Sequence, residues 1–227
     1  MATPETAPKA GSFQASFWEQ RARYADTPTE RIAKAGKGTK AYPGGEDEKW
    51  WLDHGPKMVD AYELWRDSND YRVWETPEGV PAIELELLVD VGAKYPIKMF
   101  IDRIFVNPMG HLAIVDLKSG ARSPASDMQL GFYRVGVLQN LGVRIDQGNY
   151  YDARKGELSD TVSLVRYTPA LVGHWMRQYE AAREAGIYIP NLSHWCRSCG
   201  MRDYCAAYGG MQSHFDPDYQ HVNGGKE

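Results

Sequence analysis

The chain has 227 residues, 43% hydrophobic and 25% charged, enough for one sizeable core with an appendage and too few for two. A net charge of −4 excludes a global basic field of the kind that coats nucleic acid passively, but leaves open basic groups lining a single groove. No apolar run approaches the roughly 18 residues of a membrane span, and the first dozen residues, MATPETAPKAGS, hold no apolar signal core. The expectation is a cytoplasmic protein with no membrane partner.

In chain order, residues 1–12 read as a disordered tail rich in small residues and Pro. Phe13, Phe17 and Tyr24 suggest a short helix, and Thr27-Pro28-Thr29-Glu30 starts a second that ends near Gly36. Residues 36–46 read as a loop. Glu46 to Arg66, with Trp50, Trp51, Met58, Val59, Tyr62 and Trp65, reads as a helix packed on a core and interrupted at Gly55-Pro56. From Pro81 the period becomes alternating, which predicts strands over 83–89, 97–106 and 111–118, the last two joined by the turn Asn107-Pro108-Met109-Gly110. A helix over 126–141, closed by Gly142, leads to a strand over 147–153, a further strand over 158–166 and a long helix from Thr168-Pro169 to Gly186. The predicted fold is α/β: a β-β-β-α-β mixed sheet flanked by helices. It divides into an N-terminal part (1–45), a core (46–190) and a Cys-bearing tail (191–227).

Two carboxylates fall inside apolar strands. Asp102 shares its predicted face with Phe100, Ile104 and Val106; Ile97, Met99, Ile101 and Phe105 face the other way, with Arg103 the one charged exception. Such a strand is normally covered on both sides, so Asp102 is expected to be partly buried. Asp116 and Lys118 share a face with Leu112 and Ile114, and a turn centred near Met109 sets Asp102 opposite Asp116. Opposed carboxylates repel and are costly to bury alone. Two accounts stand: an ion-paired structural cluster with Arg103 or Lys118 as counter-ion, or a pair of oxygen ligands for a hard divalent cation. Glu84 and Glu86 read as a solvated edge face, one of them a possible further ligand. His54 and His111 read as ordinary surface residues.

The sequences IDRIF (101–105), IVDLKSG (114–120) and Gln129-Leu-Gly-Phe-Tyr133, in that order, resemble the RecB-like exonuclease branch of the PD-(D/E)XK nucleases. Similar chains occur among CRISPR-associated and phage-encoded nucleases. The resemblance covers roughly residues 46–205. It implies a restriction-endonuclease-like core and phosphodiester hydrolysis in DNA, from single strands or duplex ends, in recombination, repair or phage DNA processing, with a helicase or recombination protein as a possible partner. It further implies that Asp102 and Asp116, with the carbonyl of Leu117, ligate Mg²⁺ or Mn²⁺. Lys118 would orient or deprotonate the attacking water or stabilise developing charge, and Gln129 and Tyr133 would face the site from one helix face. The rival is a catalytically weak DNA-binding or recombination accessory protein on the same fold.

Cys196, Cys199 and Cys205 are the chain's three cysteines. Their spacing resembles the family's C-terminal C-x₂-C-x₅-C, which with a distant N-terminal cysteine holds a [4Fe–4S] cluster. Zinc held with His194 or His214 is the alternative, and plain structural cysteines a third. Two family features are missing: the fourth cysteine, and the His of a G-T-x-x-H-like motif, since Gly38-Thr39 is followed by Lys40, Ala41 and Tyr42. One upstream segment carrying both is the expectation, and with it weak activity and a labile cluster in the chain as given.

Overall fold

In the computed structural model, residues 13, 16–19, 38–121, 124–187, 189–193, 196, 199, 205 and 207 are described. The chain forms two compact units, Met1–Ala181 and Ala182–Glu227. Phe13 and residues 16–19 are helical; the helix expected over 27–36 lies outside the described residues. The named elements are α1 (Glu48–Asp67), β1 (Arg72–Val73), β2 (Ile83–Val89), β3 (Ile97–Val106), β4 (Leu112–Lys118), α2 (Met128–Leu141), β5 (Gln147–Asp152), β6 (Glu157–Leu158), β7 (Val162–Ser163) and α3 (Pro169–Glu184).

Helix α1 starts where the Asp47 carboxylate accepts the Trp50 amide at 3.0 Å, an N-cap that satisfies one of the helix's open donors. It runs unbroken through Pro56, correcting the expected interruption. Proline removes one backbone donor, but α1 lays Tyr62 and Trp65 against the sheet, and that packing outweighs one lost bond. Gly55 is a packing position: a Cβ there would lie 2.0 Å from Cζ of Phe13.

The seven strands form one mixed sheet in the order β1-β3-β4-β5-β6, with β2 also on β3 and β7 also on β5. β2, β3 and β4 are antiparallel neighbours, whereas β5 runs parallel to β4, so α2 is the crossover that a parallel pair requires. The strand expected over 158–166 is instead two short pieces, β6 and β7, that share one edge of β5 at Tyr151–Asp152 and Gln147–Gly148. β1, pairing only Arg72 and Val73 with β3, was not foreseen.

Alternation along β3 and β4 sends Phe105 and Val115 to an aromatic cluster with Tyr62 of α1 and Tyr151 of β5. Ile104 and Ile114 go to a larger aliphatic cluster with Leu130, Val135 and Val137 of α2. The sheet is thus covered on both faces. Met99 and Ile101 also join the aliphatic cluster, while Phe100 is exposed; the single-face assignment expected for β3 therefore fails between Ile101 and Ile104. On the neighbouring strand Glu84, between the pairs Ile83↔Arg103 and Leu85↔Ile101, has φ +48°.

Candidate active site

The ladder between β3 and β4 ends at Arg103↔Val115, and one more step of that register sets Asp102 across from Asp116. There the Leu117 amide donates to Oδ2 of Asp102 at 2.8 Å, so a side chain takes up a main-chain donor at the strand exit. Asp116 is 1% exposed and Asp102 half-buried. Lys118 Nζ stands 2.5 Å from the buried Asp116 Oδ2 as an ion pair. Burial raises the Asp116 pKa; the neighbouring Asp102 and Glu84 charges push the same way, against Lys118.

Lys118 also donates to Gln129 Oε1 at 2.9 Å, and Gln129 Nε2 donates to the Tyr133 hydroxyl at 2.9 Å. Four residues apart on α2, these two side chains share a helix face, and a single chain of contacts runs Asp116–Lys118–Gln129–Tyr133. Burial, with the charges of Asp116, Asp102 and Glu84, also raises the Tyr133 pKa. The start of α2 is pinned: Asp127 accepts from the Tyr167 hydroxyl at 2.7 Å and pairs with Arg166. About two turns on, buried Arg134 donates to Asp146 at 2.7 and 3.0 Å. Gly131 lets the helix lie against the Tyr167 ring, 2.2 Å from where a Cβ would stand.

A cleft of about 390 Å³ opens beside Lys118, lined among others by Ser126, Tyr150, Asp152, Lys155 and Asp160. Lys118 Nζ lies 5.8 Å from the centre of the Tyr150 ring. Burial lifts the Tyr150 hydroxyl to about 12, so it stays protonated and donates to the Ser126 carbonyl at 3.0 Å.

The model of the PD-(D/E)XK nuclease superfamily matches residues 13–206. This chain belongs to that superfamily. A relative from Mycobacterium phage D29, the Gene 69 protein, is 26% identical over 173 residues, covering 74% of this chain. The chain spans 63% of that relative's length. The mixed sheet crossed by α2 is consistent with that membership.

Asp102, Asp116, Leu117, Lys118, Gln129 and Tyr133 all come together. Cys196, Cys199 and Cys205 are free thiols, and no group of three or more His, Cys, Asp or Glu able to hold a metal occurs among the described residues. With three cysteines in the chain, the donor set does not fit a four-thiolate cluster; His194 and His214, the zinc alternatives, lie outside the described residues. The Cys196 sulfur instead accepts the Ser193 amide at 3.3 Å. Among the described residues no helix is long and apolar enough to cross a membrane.

Glu84 lies on the exposed edge face expected of it. It pairs with Arg103 at 3.5 Å, yet its charge reaches both Asp116 and Tyr133. Its left-handed backbone leaves no mark on the alternating pattern. Glu86, by contrast, pairs with Lys98 at 2.7 Å on an exposed face. Tyr150 and Arg154 were missed, since only the parallel β4–β5 pairing brings their segment beside Lys118.

Proposed function

We propose that this chain is a divalent-metal-dependent deoxyribonuclease of the RecB-like exonuclease kind, cutting DNA from strand ends in recombination, repair or phage DNA processing. The observation that carries this reading is the pairing of two carboxylates across β3 and β4 with Lys118 on the same face. Asp116 offers a buried oxygen on a carboxyl whose ionisation burial opposes. This donor set fits a hard cation: Asp102 and Asp116, with the Leu117 carbonyl, would hold Mg²⁺ or Mn²⁺. When bound, the metal lowers the pKa of a water and offsets charge on the attacked phosphate.

The protein's own groups do the rest. The Leu117 amide fixes the Asp102 carboxylate. Lys118, held by Gln129, directs its ammonium to where a phosphate gathers negative charge, or orients the attacking water. Tyr133, protonated because its pKa is raised, supports Gln129 from below.

The test uses end-labelled single-stranded and duplex oligonucleotides with Mg²⁺ or Mn²⁺. The wild-type chain is expected to shorten them from an end, and Asp116→Ala and Lys118→Ala to lose this by about a hundredfold or more while folded. Cleavage unchanged in both variants would sink the assignment. A folded wild-type chain that binds DNA without cutting it would favour the accessory role.

A further inference from the structure

Lys118 has its side chain in the centre, but what holds its backbone lies elsewhere. Its carbonyl accepts the Ala153 amide at 2.9 Å. The next carbonyl, that of Ser119, accepts Nε of Arg154 at 2.7 Å. The other two guanidinium nitrogens donate to Glu46, at 2.9 and 2.7 Å, across 108 residues of sequence. Both partners are largely buried, 20% and 13% exposed. The guanidinium lies 4.7 Å from the centre of the Trp50 ring, and His54 stacks on that ring at 4.2 Å and 7°. Arg154 is itself placed by a tight turn in which the Asp152 carboxylate accepts its amide at 3.0 Å.

We infer that Arg154 is a positioning residue for the reaction centre, holding through Ser119 the backbone that aims Lys118. The inference rests on the nuclease reading. Three nitrogens are engaged in three directions, two toward one carboxylate and one toward a carbonyl. Only the planar fork of arginine does this; a lysine ammonium is a single point charge on a flexible stem. The pile of Glu46, Trp50 and His54 immobilises the fork, so the start of α1 braces the exit of β4. Arg154 touches neither carboxylate, which separates its effect from metal binding: freeing the Ser119 carbonyl lets Lys118 drift, and about 1 Å of drift is costly to catalysis.

The experiment compares Arg154→Lys and Glu46→Gln with the wild-type chain in steady-state DNA cleavage, metal titration, melting and amide hydrogen exchange. For Arg154→Lys, kcat should fall at least tenfold while KM and the metal concentration for half-activity hold, with exchange accelerated around residues 117–120 and not across β2 and β3. Glu46→Gln, which keeps the shape and removes the charge, should show the same pattern at smaller size and serves if Arg154→Lys does not fold. Wild-type kcat in both variants would overturn the inference. So would a fall in kcat matched by a rise in KM, or exchange accelerated over the whole sheet, which would mark a DNA contact or plain stability. A wild-type chain that folds and does not cut DNA defeats the nuclease reading alone; local exchange around Ser119 then still decides the bracing.

Discussion

The two faces of the sheet use different chemistry. Toward α2 the cover is aliphatic: Ile101, Ile104, Ile114, Leu130, Val135 and Val137 are all fully buried. Toward α1 it is a set of rings, with Trp65 touching Tyr62, Tyr71, Phe105 and Tyr151 at centroid distances of 5.1 to 5.9 Å. Aliphatic packing is non-directional, and it ends abruptly at the first turns of α2, where Gln129 and Tyr133 take over and the charged centre begins. Ring packing carries preferred angles, and it holds α1 in a defined place. The proposed centre thus lies on the aliphatic side of the two strands, away from the rings, and substitutions on the two sides should separate.

The largest effect is expected on the ring side. Phe105→Ala empties the centre of that cluster and should cost about 4 kcal/mol, measured by urea unfolding. A loss under 1 kcal/mol would mean that α1 is not anchored through the rings. On the other side, Gly131→Ala forces a Cβ toward a Tyr167 ring fixed by Asp127, and overpacking of this kind costs about 1–3 kcal/mol. It should also reduce cleavage, because α2 carries Gln129 and Tyr133; full activity with lowered stability would disconnect the helix from the centre.

A third substitution sharpens the contrast by pH. The Asp116 carboxyl is raised above the usual value of 3.8, so in metal-free buffer its proton is held more tightly folded than unfolded. Its stabilising contribution is complete below that value and is lost as pH rises through the raised one. Asp116→Asn does not titrate there. Its melting temperature relative to wild type should therefore climb from pH 4 to neutrality in EDTA; a constant difference would refute the raised pKa. The smallest effect is Tyr151→Phe. The Tyr151 hydroxyl is buried without a hydrogen-bond partner, so removing it should leave stability within about 0.5 kcal/mol or slightly improve it. A loss above 1 kcal/mol would expose an unrecognised partner.

Much of the centre was legible because charge inside an apolar strand is expensive and therefore conspicuous. Asp102 and Asp116 stand out from IKMFIDRIFV and HLAIVDLK by that criterion, and period two with a short turn is enough to oppose them. Gln129 and Tyr133 came from the resemblance to the family pattern, and helical spacing added only that they share one face. Pro56 misled, because its local cost is overridden by the burial of α1. The stretch 158–166 misled because β-rich composition does not tell how much partner strand is available, and β5 offers only its two ends. Arg154 was out of reach for a different reason: it depends on a contact between segments far apart in the chain.

That last contact has a consequence in time. A ribosome finishes Asp102, Asp116 and Lys118, then α2 and all of β5, before it adds Arg154. At roughly 5–20 residues per second, the nascent chain spends seconds with every group of the proposed centre synthesised and the brace still unmade. Glu46, finished long before, waits for its partner. The proposed centre is therefore completed late in synthesis, and a chain that stops within α2 carries Asp116 and Lys118 on a β4 whose exit is unsecured.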